Sequence, residues 1–287
     1  VSAPAPRRAD LHAHTRASDG VYTAEELVDR AVAAGLWALA VSDHDTLGAL
    51  GAAGTAGSAR GLVVFPGVEF SCLAHGPDGR RLDIHLLGLF LNGLNAQDQA
   101  RIEVHLEERR RTRLMRGRQM VANLAAAGVG IAWPEVEAEA AGGAVGRPHV
   151  ARVLVRHGLA ADIDDAFHRY LSPGRPGHVE QHPLRIEEAV GWIREAAGAV
   201  VWAHPGLTPM PAEAAPWRDQ LDGLEADHPK HDAAQRETLR ALAGAWGIVA
   251  TGGSDAHGTP GRDAVGDCWT PEPAVEALAA RGQARKA

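Results

Sequence analysis

Short apolar runs alternate with longer amphipathic stretches over most of the chain. The runs are Ala9–His12, Ala38–Ser42, Val63–Phe70, Leu82–Phe90, Ala199–Ala203, Gly223–Ala226 and Ile248–Thr251. Each is nearly continuous, the pattern of a strand buried on both faces. Helical periodicity lies between several of them. Thr23–Ala34 opens with a Thr23-x-x-Glu26 capping box, Ile186–Ala197 is a second helix, and Glu272–Ala280 closes the chain. This alternation predicts a parallel sheet covered by helices. Seven strands with polar residues at each exit predict an α/β barrel with its site at the C-terminal strand ends.

The alternation breaks between Asn95 and His182. A long charged helix, Arg101–Ala127, precedes a Gly/Ala loop at Ala140–Gly146 and further short helices. We read an inserted helical lid over 99–182 and a discontinuous barrel over 9–98 and 183–287. Seven arginines fall between Arg101 and Arg118. Pairing with Glu103, Glu107 and Glu108 predicts a solvated helix face for them rather than a phosphate site.

Composition adds limits. The chain has 287 residues, 45% hydrophobic and 23% charged, so it reads as a soluble globular protein with a substantial core. The net charge of -7 argues against long duplex nucleic acid as a partner. Cys72 and Cys268 are the only cysteines, which excludes a disulfide framework and fits a reducing cytoplasm. Val1–Arg8 has no apolar h-region, and no run of about 18 apolar residues exists to span a membrane. Fifteen His against two Tyr and four Phe favours a metal site.

That site is written at the strand exits. His12 and His14 stand at i and i+2, which on a strand puts both imidazoles on one face; Asp19 follows in a Ser18-Asp19-Gly20 turn. Later exits carry Asp43-His44-Asp45, Glu69, Asp83-Ile84-His85, His204-Pro205, Glu225-Ala226-Asp227-His228 and Ser254-Asp255-Ala256-His257. Each has an ordinary explanation alone: a satisfied core His85, a buried hydrogen-bonded Glu69, turn residues at His204, Asp255 and His257. Their joint recurrence at seven exits points to a polynuclear metal site. Imidazole and carboxylate without thiolate suit Mn, Fe or Zn. Nine ligand candidates exceed one ion, and a shared carboxylate such as Glu69 would let the site hold two or three.

The chain resembles the PHP (polymerase and histidinol phosphatase) family. The resemblance rests on DLHAHTRASDG (10–20), VSDHDT (41–46), PGVEFS (66–71), DIHLLG (83–88), GRPHVA (146–151), AHPG (203–206) and GGSDAHG (252–258). It implies a distorted seven-stranded (β/α)7 barrel with a helical lid, related to the amidohydrolases. It implies one ion on His12, His14, Glu69 and Asp255, a second on Glu69, His85 and His204, and a third on Asp19, His44 and His257, manganese first, iron or zinc next. Glu69, Asp255 and His204 become the catalytic candidates. Arg147 and His149 match lid positions that contact substrate phosphate. Gly174-Arg175-Pro176-Gly177-His178 stands where relatives often read Gly-Lys-Pro-Ala-Tyr, making Arg175 and His178 substrate-binding candidates of altered chemistry. His228, in the variable Asp227–His231 segment, joins them.

The resemblance implies a phosphoesterase acting through a metal-bridging hydroxide on a small phosphorylated substrate. The nearest group cleaves nucleoside 3',5'-bisphosphates or short 5'-phosphorylated RNA. Histidinol-phosphate phosphatase is a nearer rival and an amidohydrolase cutting C–N bonds a farther one. The latter often bridges its metals with a carboxylated lysine, and this chain has only Lys230 and Lys286. A non-catalytic metal-binding module would show lost ligands, and none is lost. No Walker motif or G-x-S-x-G elbow is present.

Overall fold

The computed structural model describes residues 6–180, 184–209, 212, 215–258 and 264–285. The expected domain boundary at 182/183 and Lys286 lie outside them. Eight strands occur among the described residues: β1 (Arg8–Asp10), β2 (Ala38–Val41), β3 (Val63–His75), β4 (Arg81–Leu89), β5 (Ala199–Ala203), β6 (Gly223–Asp227), β7 (Val249–Gly252) and β8 (Thr270–Pro271). They join in the order β7-β6-β5-β4-β3-β2-β1-β8. Thr270 Oγ1 bonds both the N–H and the C=O of Gly252 at 2.8 Å, so β8 approaches β7 and the sheet is a nearly closed barrel.

Two expectations are corrected. Among the described residues there are eight strands where the sequence predicts seven, because the two-residue β8 pairs antiparallel with β1; a strand this short carries no periodic signal. The sheet is also mixed. β4 runs antiparallel to both β3 and β5, because only residues 76–80 separate β3 from β4. A parallel crossover needs a dozen or more residues. Instead a tight turn closes the hairpin, with Gly76 N–H on Arg80 O at 2.9 Å and Gly79 at φ +76°.

Helices α1 (Ala24–Ala33) and α2 (Leu50–Arg60) follow β1 and β2. Their apolar faces pack with Leu39 and Val41 of β2. The Thr23 capping box forms as expected, with Thr23 Oγ1 accepting from Glu26 N–H at 3.2 Å and Glu26 accepting from Thr23 N–H at 2.8 Å. Thr23→Ala should therefore cost about 1 kcal/mol of stability, read as a lower denaturant midpoint at unchanged slope.

Between β4 and β5 the chain forms α3 (Ala96–Ala126), α4 (Trp133–Ala140), α5 (Arg147–Arg156) and α6 (Ile163–Ala166), followed by a π-helical turn over Phe167–Leu171. These share a separate apolar cluster that includes Met120, Leu124, Val136, Val150, Leu154 and Leu171. After it, α7 (Ile186–Glu195) and α8 (Ala233–Trp246) cover the outer face of the barrel, and α9 (Glu272–Ala284) ends the chain.

Strand alternation divides the core. Leu86, Val200 and Trp202 pack outward with Ile193 of α7 and Leu239 of α8. Leu87, Leu89, Val201 and Ala203 join a second cluster with Val275 and Leu278 of α9. Helix α9 packs at the start of the strands, where Gly282 abuts the backbone of Ala197 and Ala199. The opposite end is left open for chemistry.

Candidate functional site

Chain continuity beyond the strand ends builds the site. The segment after β1 pairs with the segment after β7 through an Ala13–Ala256 bridge, and His44 pairs with Glu69. His14 N–H donates to Ala256 O at 3.0 Å and Asp255 N–H to His12 O at 2.8 Å. These bonds bring residues more than 240 positions apart into contact. Asp10 reinforces the same joint by accepting from the N–H groups of Ser254 and Gly266, each at 2.9 Å. Asp43 does so between the first two loops, accepting from Thr15 N–H at 2.7 Å, Thr15 Oγ1 at 2.6 Å and Ser18 Oγ at 2.5 Å.

His12 and His14 share a face as their spacing requires. Their Nε2 atoms are 3.1 Å apart. Each also faces Glu69 Oε2, at 3.2 and 3.1 Å, and Asp255 Oδ1, at 3.4 and 3.3 Å. These five separations are those expected between donors that share one ion at bond lengths of about 2.0–2.2 Å, and all four donor atoms lie within 4.8 Å of one another. Two nitrogens and two carboxylate oxygens held this close, all in buried residues, form a donor set suited to a cation.

Glu69 reaches in two directions. Its other oxygen lies 2.6 Å from His85 Nδ1 and 3.2 Å from His204 Nε2. His44, Glu69 and His85 form a second compact donor group, and His14, Asp19, His44 and His257 a third. The second group holds His44 where the resemblance implied His204, although His204 Nε2 faces the same Glu69 oxygen, and His14 adds itself to the third group. His85 arrives by a route not expected. His85 lies in the first half of β4, opposite Ser71 and Ala203, and because β4 is reversed that half falls at the site end of the barrel.

The field of the cluster is consistent with that chemistry. Burial would raise the carboxyl of Glu69, but the imidazoles of His44, His85 and His12 outweigh it and hold it well below its usual value. Burial would likewise raise Asp255, and His12 and His257 keep it low. His14 is pushed up to about 10: burial opposes this, and Asp255 and Glu69 overcome it. Backbone strain gathers here too. Among the described non-glycine residues with positive φ are Asp45 at 52°, His204 at 33° and Asp255 at 50°, conformations that persist only where the surroundings enforce them.

A cleft of 280 Å³ opens over the cluster, with Asp19, His44, Glu69, His85, His204, Asp255 and His257 in its lining. Its opposite wall comes from the inserted helices and carries Arg113, Arg116 and Arg147, with Lys230 nearby. This corrects the reading of the α3 arginines. Arg110 and Arg111 do pair with Glu103 and Glu107. But positions 109, 113 and 116 fall on the face turned to the barrel. Arg109 and Arg113 are buried; Arg113 Nε donates to Asp45 Oδ2 at 2.5 Å and its Nη2 to Ser71 Oγ at 3.1 Å. Arg116 is pushed down to about 10 by burial and by the neighbouring Arg147 and Arg113.

Of the five substrate-binding candidates, only Arg147 lines the cleft, at the first turn of α5, with its guanidinium carbon 5.4 Å from the Phe167 ring centre. His149 is turned inward, its Nδ1 accepting from Gly146 N–H at 2.9 Å to cap α5. Arg175 is exposed in a turn closed by its N–H on Ser172 O, outside the cleft lining. His178 Nδ1 faces Leu171 O at 3.3 Å within its own loop. His228 is buried behind Asp255. Local hydrogen-bond demands claim these three histidines. A larger open groove of 790 Å³ follows the outer side of α3 past Val104 and Met115; it holds none of the clustered donors.

A PHP domain model matches residues 10–125. The chain is 36% identical over 272 residues to a 3',5'-nucleoside bisphosphate phosphatase of Chromobacterium violaceum, covering 88% of this chain and 89% of the relative. It is 35% identical over 259 residues to the 5'-3' exoribonuclease Rnm of Salmonella typhimurium, covering 86% and 84%. Among solved structures, a putative metal-dependent phosphoesterase from Bifidobacterium adolescentis superimposes with a TM-score of 0.84 at 30% identity, over 98% of both chains. Donor groups able to hold metal, the nearly closed barrel and these relatives agree: the chain belongs to the PHP-domain family and is a metal-dependent phosphoesterase.

Proposed function

We propose that the cluster holds two or three divalent ions, manganese first. We further propose that the enzyme removes the 3'-phosphate of nucleoside 3',5'-bisphosphates, with short 5'-phosphorylated oligonucleotides as further substrates. The observation that carries this reading is the cleft itself. Its floor is the imidazole–carboxylate cluster, and its wall is a set of guanidiniums from the inserted helices. One phosphate would meet the floor and a second the wall.

When bound, divalent ions would polarise phosphoryl oxygens and lower the pKa of water. His12, His14, Glu69 and Asp255 would hold one; Glu69, His85 and His204, with His44 close by, a second; and Asp19, His44, His257 and His14 a third. The chain's own groups do the rest. Glu69 spans the first two positions with its two oxygens. Arg147 offers a planar fork that can donate two parallel N–H bonds to phosphate oxygens. Arg113, anchored on Asp45 and Ser71, fixes helix α3 against the barrel so that Arg116 and Arg147 stand over the cluster. The inserted helices would act as a lid, since the α4–α5 loop rests on the first site loop through Ala144 N–H on Ala17 O at 2.8 Å.

The amidohydrolase alternative would call for a carboxylated lysine between metals. Glu69 fills that place, and Lys230 is exposed, 3.7 Å from Asp255 Oδ2. The test is a comparison of kcat/KM, with manganese, on adenosine 3',5'-bisphosphate, adenosine 5'-phosphate, histidinol phosphate and a 5'-phosphorylated dinucleotide. The bisphosphate should be turned over best. Preference for histidinol phosphate would replace this reading with its nearest rival. Metal analysis of gently purified enzyme should also find at least two transition-metal ions per chain.

A further inference from the structure

The end of β6 contributes none of the proposed ligands, yet it touches three of them. Glu225 is 1% exposed and His228 0%. Glu225 Oε1 lies 3.1 Å from His12 Nδ1, and its Oε2 accepts from the backbone N–H of His204 at 2.8 Å. His228 Nδ1 accepts from Lys230 N–H at 3.1 Å, and its Nε2 faces Asp255 Oδ2 at 3.3 Å.

We infer that Glu225 and His228 form a positioning shelf that fixes how His12, His204 and Asp255 present their donor atoms. The inference rests on the metal-site reading proposed above.

The chemistry follows from donor and acceptor rules. A carboxylate can only accept, so the His12 nitrogen facing Glu225 must carry a proton. The tautomer is thereby set, and in neutral His12 the lone pair lies on Nε2, the atom aimed at His14, Glu69 and Asp255. The same carboxylate tethers His204, whose φ of +33° is a conformation that a β-substituted residue leaves unless held. At His228, Nδ1 is committed as an acceptor, so Nε2 is the donor. It holds Asp255 Oδ2 and leaves Oδ1 facing the two imidazoles. Glu225 thus acts on both sides of Glu69 at once, on His12 of the first donor group and on His204 beyond it. The packing is close enough to need Gly253: a Cβ there would fall 2.8 Å from Glu225 Oε1 and closer still to His12 Cβ.

Outer partners of this kind typically change metal affinity by roughly 10- to 100-fold. The test is manganese titration of metal-stripped protein by calorimetry, with metal-free melting recorded alongside. Glu225→Gln keeps the shape but turns an amide N–H₂ towards one of its two donors. It should still melt cooperatively without metal, somewhat below the parent because the buried His12 loses a counter-charge, and should bind manganese roughly 10- to 100-fold more weakly. His228→Leu should weaken binding in the same range, while His228→Gln, which can still donate to Asp255, should restore much of it. Should Glu225→Gln fail to fold, the His228 pair decides alone. Parental affinity in Glu225→Gln, or equal affinities for His228→Leu and His228→Gln, would overturn the shelf. Absence of manganese binding by the unaltered protein would instead overturn the metal-site reading.

Discussion

Glu69→Gln should lose metal and activity together, on the order of 10³-fold in kcat, since the Lewis-acid contribution it supports amounts to several kcal/mol. The reason is its position. Oε2 closes the cage with His12 and His14 at 3.1–3.2 Å, while Oε1 faces His85 at 2.6 Å and His204 at 3.2 Å. Among the described residues no other carboxylate does both. The amide keeps the shape, so the metal-free protein should still fold, melting below the parent because the buried imidazoles lose the carboxylate that holds them. Metal content, measured after gel filtration, should fall with the rate. Retention of both metal and rate would leave Glu69 as a buried hydrogen-bonded acid and nothing more.

Arg147→Ala should separate the two phosphates of the substrate. The side chain stands in the cleft wall at the start of α5, where burial lowers its pKa, the Asp83 carboxylate in the same lining partly opposes this, and Arg113 adds to the lowering. A guanidinium kept there at that cost is suited to an incoming anion. Its loss should lower kcat/KM for the bisphosphate by roughly 10- to 150-fold, a charge-assisted contact of about 1.5–3 kcal/mol. The monophosphate lacking the second group should lose far less. Equal losses on both would mean that Arg147 holds the reacting phosphate or the helix itself, and its part in reading the second phosphate would be withdrawn.

The parts of the site governed by strand geometry were legible from the sequence. H-x-H on one face, a carboxylate at Glu69 and the Asp255-x-His257 exit are local patterns, and the barrel carries them to one place. The reversal of β4 was in principle legible too. Gly76-Pro77-Asp78-Gly79 is a turn sequence, and the gap it sits in is too short for a helical crossover. Helix α2 gave no amphipathic signal because its sequence, LGAAGTAGSAR, is almost wholly small residues. The substrate wall was less legible. Which arginines of α3 face the barrel depends on the register of a helix against a distant sheet, although the run 109, 113, 116, 120, 124 keeps one helical face. His149, His178 and His228 show the reverse difficulty. A histidine in a phosphate-binding motif can be taken by a helix cap, a loop carbonyl or a neighbouring carboxylate, and only the fold decides which. Glu225 was visible at its strand exit, but its role as a partner of His12 required the tertiary contact. Among the described residues no helix is long and apolar enough to cross a membrane.

The most direct test of the central claim joins metal to chemistry in one experiment. The enzyme is stripped with a chelator, manganese is returned stepwise, and bound metal and phosphate release from adenosine 3',5'-bisphosphate are measured on the same samples. The account predicts negligible release from the stripped protein and recovery that reaches its full value only when more than one ion is bound per chain. Full phosphate release by metal-free protein, or recovery complete at a single bound ion with no further uptake, would contradict it.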